Sequence, residues 1–267
     1  GVRMSPFLTT EFSDPRFEVE GLRFATVASS ALGRRGDCTF WHPQGTVTVG
    51  PVPLVILLHG VYGSHWAWAQ KAGAHRIAAA LIEAGELPPF ALAMPSDGLF
   101  GLGSGYVRHA AGDFRAWILD EIPELAAMAL PGVTPESPLA LAGLSMGGFG
   151  ALLLGAGNGD RVRAVAGMSS ITDFAQMRFF VGDISGYDVA DQDRSVLEVI
   201  RTNRSRLPAI HFDCGETDPL IEANRALHTA LEADDIVHSY AEYPGGHEWP
   251  YWEAHLGAAL GFLSANL

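Results

Sequence analysis

The chain has 267 residues, 48% of them hydrophobic and 18% charged, with a formal net charge of -13. A chain of this length buries enough surface to fold without disulfide or metal. Its acidic balance excludes the Lys- and Arg-rich surfaces that neutralise nucleic-acid phosphates or anionic lipid headgroups. No run of eighteen apolar residues is present, so no membrane span is expected. The start, Gly1-Val2-Arg3-Met4, has no apolar core after a basic residue, unlike a signal peptide. A cytoplasmic location is the expectation, with secretion after removal of a leader left open.

In chain order, the first readable element is a hairpin between Gly21 and His42. Leu22 to Val27 and Cys38 to Trp41 are its strands, and Ala31 to Gly36 is its turn. Beyond it, short apolar runs alternate with helical stretches, the pattern of βαβ units in a mostly parallel sheet. The runs are Leu54 to Leu58, Phe90 to Met94, Leu139 to Leu144, Val162 to Met168, Ala209 to Cys214 and Ser239 to Tyr243. Most are continuous rather than alternating, as strands covered on both faces are. Helices are expected at Ala72 to Glu83, Asp113 to Met128, Gly147 to Gly155, Ile221 to Ala233 and Trp249 to Leu263. The total is eight strands, two antiparallel and six parallel, in one α/β domain over residues 1–267. The stretch Ile171 to Asn203 is long for a connection and holds Phe174, Phe179, Phe180 and Tyr187 among many Asp residues. It reads as a lid or cap insertion with helix near Val196 to Ile200, or as an ordinary crossover with a long loop. The two cysteines, Cys38 and Cys214, lack metal-ligand spacing and read as buried thiols rather than a disulfide.

The motif with most chemical content is Gly143-Leu144-Ser145-Met146-Gly147, between an apolar strand and a small-residue helix. A serine in such a strand-turn-helix elbow is held in a strained backbone, and its Oγ stands over a helix N-terminus that favours developing negative charge. The hydroxyl needs a base. In this fold class the acid and then the histidine follow the serine along the chain. Of His211, His228, His238, His247 and His255, only His247 lies in a loop just past a strand, in Pro244-Gly245-Gly246-His247-Glu248-Trp249. The acid is expected after Ala209 to Cys214. Asp218 is the choice there, Glu216 the fallback, and Asp213 falls within the strand. The oxyanion of an acyl intermediate needs two amide donors, expected at Met146 and at Val61 in the loop His59-Gly60-Val61-Tyr62-Gly63. His59 reads as support for that loop. Trp66, Trp68 and Trp249 are candidates to line the substrate pocket, the alternative being that they pack the loop onto the core. Asp97, Gly98 and Tyr106 are weaker candidates on the same edge. No H-E-x-x-H, phosphate-loop or dinucleotide pattern occurs, so neither metal nor cofactor is expected.

Taken together, these motifs resemble one family. Ser30-Ala31-Leu32-Gly33-Arg34-Arg35, Leu58-His59-Gly60, Met94-Pro95-Ser96-Asp97-Gly98, the Ser145 elbow, Cys214-Gly215-Glu216-Thr217-Asp218 and the His247 loop are similar to segments of esterase D-like proteins. That α/β-hydrolase group also holds feruloyl and acetylxylan esterases and the antigen 85 mycolyltransferases. The resemblance spans Leu22 to the C-terminus and implies a triad of Ser145, Asp218 and His247 with oxyanion donors at Val61 and Met146. The expected activity is hydrolysis of a small ester or an acylated sugar. The rivals are an acyltransferase with the same triad, favoured by a dry site around Trp66 and Trp68, and a non-catalytic binding protein on the same scaffold.

Overall fold

The structure, a computed structural model, describes residues 5–45 and 49–267. The N-terminal Gly1 to Met4, in which no signal pattern was read, lies outside them. The described chain forms β1 (Phe7–Phe12), β2 (Leu22–Ser29), β3 (Arg34–Trp41), β4 (Leu54–Leu58), α1 (Ala67–Ala72), α2 (Ala74–Glu83) and β5 (Ala91–Pro95). A two-residue ribbon of β6 (Arg108–His109) and β7 (Gly112–Asp113) follows. Next come α3 (Phe114–Ala116), a π-helical turn Trp117–Glu121, α4 (Ile122–Ala129), β8 (Leu139–Leu144), α5 (Met146–Ala156) and β9 (Val162–Met168). The chain closes with α6 (Arg178–Val181), α7 (Val196–Thr202), β10 (Ala209–Gly215), α8 (Ile221–Ala233), β11 (Ser239–Tyr243) and α9 (Trp249–Ser264).

Nine strands form one sheet in the order β1-β2-β3-β5-β4-β8-β9-β10-β11. The expected count of eight was short by β1, which pairs antiparallel with β2 at the sheet edge. Its sequence Phe-Leu-Thr-Thr-Glu-Phe leaves only Phe7 buried, so it has no apolar run to announce it. The β2–β3 hairpin runs in register from Leu22↔Trp41 to Ser29↔Arg34, so its turn is shorter than Ala31 to Gly36. Strands β4, β5 and β8 are buried at every residue, as expected of central parallel strands.

Helices cover both faces. On one, Trp68, Ala72, Ala78 and Ile82 of α1 and α2 and Trp252, Leu256 and Leu260 of α9 pack on Val55, Leu57, Leu92 and Ala142. On the other, Ile118, Ile122 and Leu125 join Phe149 and Leu152 of α5, Val196 and Ile200 of α7 and Leu227 and Leu231 of α8 over Ile56, Leu141 and Val165. After β4 the chain adds β5 on one side and β8 on the other, which opens a crevice beyond the carboxyl ends of β4 and β8. Open α/β sheets bind ligands at such a switch point.

Candidate active site

Ser145 sits in that crevice. It leaves β8 with φ 52° and ψ -115°, an uncommon conformation for a residue with a side chain, and α5 starts at the next residue. The cost of such backbone is on the order of 1–3 kcal/mol and persists only where the surroundings hold it. Here the Ser145 amide donates to Met168 O at 2.9 Å, and its carbonyl accepts from Phe149 N at 3.0 Å and Ile171 N at 3.1 Å. The flanking glycines are steric necessities. A Cβ on Gly143 would stand 2.2 Å from Gly147 O, and one on Gly147 would stand 2.1 Å from Leu58 O. Strand, turn and helix therefore approach as closely as bare backbone permits.

Asp218 and His247 arrive from the loops after β10 and β11, neighbouring parallel strands. Ser145 Oγ lies 2.9 Å from His247 Nε2, and His247 Nδ1 lies 2.8 Å from Asp218 Oδ2. A carboxylate only accepts, so the Nδ1–H faces Asp218 and the Nε2 lone pair faces the serine hydroxyl. The second Asp218 oxygen accepts from Leu220 N at 2.8 Å, and the carboxylate is fully buried. The two other acids considered are elsewhere. Asp213, in β10, accepts from Tyr251 Oη at 2.6 Å and pairs with His211 at 2.8 Å inside the core. Glu216 is exposed.

The loop after β4 runs beside the serine. A Cβ on Gly60 would lie 2.8 Å from Leu144 Cδ1 and 3.5 Å from Ser145 Cβ. Val61 follows, and Met146 opens α5, where amides of the first turn lack an intrahelical acceptor. His59 is buried and supports this loop, as its position suggested. Its Nδ1 donates to Gly60 O at 2.6 Å, and its Nε2 accepts from Asp97 N at 2.9 Å. Tyr106 Oη donates to His59 O at 2.7 Å. Asp97 accepts from Leu99 N at 3.0 Å and Ser104 N at 2.7 Å. Asp97, Gly98 and Tyr106 are therefore buried loop-builders and do not face the crevice. Burial also pushes the Tyr106 phenol well above its usual range, with the Asp97 charge adding to the effect.

A cavity of about 490 Å³ opens at Ser145 and is lined by Val61, Trp66, Lys71, Phe180, His247 and Trp249, among others. Of the three tryptophans proposed for it, Trp66 and Trp249 line it and Trp68 does not. Trp68 is 1% exposed, and its indole N–H donates to Leu58 O at 3.0 Å. It packs edge-on behind Trp249, with ring centres 5.7 Å apart, and so anchors the loop to the core. Two further aromatic residues at the site were not among the pocket candidates read from sequence. Phe180, from the Ile171 to Asn203 stretch, stacks on His247 at 5.2 Å, and its carbonyl accepts from Tyr62 Oη. Trp252 meets the His247 ring edge-on at 5.2 Å. Its place three residues after Trp249, on one face of a helix, was a usable signal. That of Phe180 was not, because it depends on where the insertion folds back.

Residues 29–263 match the model of a family described as "Putative esterase". The chain belongs to this esterase family. An acetyl esterase of Caldicellulosiruptor saccharolyticus is 25% identical over 228 residues, 78% of this chain and 82% of that protein. A solved ferulic acid esterase superposes with a TM-score of 0.79 at 21% identity, covering 97% of this chain and all of the other. The fluorophosphonate-binding serine hydrolase F of Staphylococcus aureus superposes at 0.75 and 19% identity, covering 91% and 98%. The esterase thus has the α/β-hydrolase fold and is a carboxylic ester hydrolase acting on small-molecule esters. No helix among the described residues is long and apolar enough to cross a membrane.

Proposed function

We propose that the esterase works through Ser145, His247 and Asp218 by way of an acyl-enzyme, and that its substrate is a small ester or acylated sugar. The observation that supports this reading is the unbroken hydrogen-bond chain from Asp218 through His247 to Ser145, at the floor of an apolar cavity. Ser145 Oγ attacks the ester carbonyl carbon while His247 Nε2 takes its proton. Asp218 keeps the imidazole in the tautomer that can accept it and stabilises the imidazolium without becoming protonated. The carbonyl oxygen becomes an oxyanion, received by the amides of Val61 and Met146. Collapse breaks the ester C–O bond, and His247 returns the proton to the leaving alkoxide. A water then repeats the sequence on the acyl-enzyme and frees Ser145.

The cavity volume suits a small ligand. Trp66, Trp249 and Phe180 offer apolar walls to an acyl chain or an aromatic acid, in keeping with the acetyl and ferulic acid esterases that the chain is similar to. The Phe174–Met177 turn and α6 act as a cap whose tip, Phe180, covers His247. Transfer of the acyl group to another alcohol would need a drier site than one from which Trp68 is withdrawn and in which Trp66 is 46% exposed.

The test is hydrolysis of p-nitrophenyl esters of rising chain length, methyl ferulate, acetylated xylan and S-formylglutathione, each with and without an added alcohol acceptor. Ser145→Ala is expected to lose roughly 10⁵-fold in kcat on every ester cleaved. Near-wild-type turnover by that variant would overturn the assignment, and acyl transfer exceeding hydrolysis would replace water by the acceptor in the second half.

A further inference from the structure

At the opposite end of β11 from His247, three metal-ligating side chains converge. His228 and Glu232 lie one turn apart on α8, and His238 immediately precedes β11. His228 Nδ1 and His238 Nε2 are 2.7 Å apart, and Glu232 Oε1 is 4.0 Å from the first and 3.9 Å from the second. We propose that His228, Glu232 and His238 form a zinc site that ties the end of α8 to the start of β11.

Two imidazoles and a carboxylate are a ligand set that zinc accepts, with water completing a tetrahedron. The His238 ring is already oriented as a metal ligand is. His238 Nδ1 donates to Ile236 O at 2.8 Å, so its Nε2 lone pair faces the cluster. A backbone carbonyl behind a histidine is a common outer partner of a metal ligand. The His238 side chain is 1% exposed and stacks on Phe212 at 5.7 Å, while His228 stacks on Tyr240 at 4.3 Å with the planes 19° apart. Both rings are therefore held from outside the cluster. Glu232 is exposed and free to swing inward, and its ion-pair partners among the described residues are these two histidines. The nearby cation, Arg225, is engaged with Glu242 and Glu222.

With His238 Nε2 as acceptor, the short contact is a hydrogen bond from His228 Nδ1–H. Zinc would take the place of that shared proton, which moves to Nε2 of His228, leaving both histidines neutral. At zinc–nitrogen distances of about 2.0–2.1 Å the two nitrogens part to roughly 3.3 Å, a small adjustment. The sequence concealed the site, because the histidines are ten residues apart, joined through the α8–β11 turn, and match no common zinc-ligand spacing. The connection it would secure runs from Asp218 to His247, but the site is separate from the reacting atoms.

The experiment is titration of the chelator-treated full chain with Zn²⁺ in competition with a chromophoric chelator, followed by thermal melts. One Zn²⁺ per chain with micromolar or tighter affinity is expected, with Tm raised by roughly 5 °C at a hundredfold excess over Kd. Co²⁺ in the same site should show the visible bands of tetrahedral coordination. Glu232→Gln, at an exposed position, should melt like wild type without metal, whereas His228→Gln also loses its hydrogen bond to buried His238 and should melt somewhat lower. Each should lose more affinity than the roughly 10–100-fold that an outer-shell change costs. Absence of stoichiometric binding, or binding unchanged in both variants, would leave a plain histidine–histidine hydrogen bond and overturn the site.

Discussion

At the scale of single residues, Asp218 illustrates how little freedom the proposed machinery has. Its buried carboxylate holds one oxygen to the Leu220 amide and the other to His247. Asp218→Asn keeps the size but presents the wrong hydrogen-bond polarity to Nδ1–H. We expect kcat to fall by about 10³–10⁴-fold with little change in the melting curve. The Val61 donor belongs to the backbone, so a side-chain change cannot remove it, but Val61→Pro deletes the N–H. Steady-state kinetics should show about a 10²–10³-fold loss in kcat. Equal activity would place the second donor elsewhere in the loop. These residues were readable one by one because each stands where its element ends: Ser145 in a glycine elbow, Asp218 past β10, His247 past β11. Phe180 was not, because its contact with His247 joins segments remote in the chain.

At the scale of elements, close approach governs what can change. Gly147 lets α5 touch β4, with Leu58 O and Leu58 C within 2.1 and 2.6 Å of where a Cβ would stand. Neither atom can give way without moving a central strand. Gly147→Ala is expected to destabilise by more than about 3 kcal/mol, or to fail to fold, in denaturant melts. Trp68 separates packing from recognition. Trp68→Phe removes the N–H bonded to Leu58 O and strands that carbonyl, at a cost of about 1–3 kcal/mol in stability. Because the ring lies behind Trp249, KM for short esters should stay near the wild-type value. A large KM change with intact stability would restore Trp68 to the pocket. At this scale the sequence marked the six parallel strands and five helices, since their apolar runs and periodicity follow from being covered on one or both sides. It left out β1, whose outward residues are polar.

For the whole molecule, buried chemistry far from the site sets stability. Glu121 is buried, and that burial raises its pKa above the ordinary 4.5, although Ser29 Oγ and Ala31 N donate to it at 2.5 and 3.1 Å. A folded-state value above the unfolded one means that the folded form holds this proton more tightly. The resulting stabilisation is full below about pH 4.5 and is lost as pH rises through the folded value. Melts from pH 4.5 to 7 should therefore show wild type losing ground to Glu121→Gln as pH rises, and a constant offset would contradict this. Cys38 and Cys214 are both buried free thiols. They lie in β3 and β10, separated by four intervening strands, far beyond disulfide reach.

The sequence by itself determined the parallel α/β architecture and the glycine elbow at Ser145, and it named Asp218 and His247 as the partners now proposed for that serine. These are local properties: hydrophobic runs make strands, glycines permit the turn, and chain order limits the partners. Only the tertiary structure decided that Trp68 faces inward while Trp66 faces the cavity, that Asp97 and Tyr106 build a loop rather than touch a ligand, and that His228 and His238 meet. Such outcomes depend on which side chains compete for the same space across the sheet, and residues distant in the chain settle that competition.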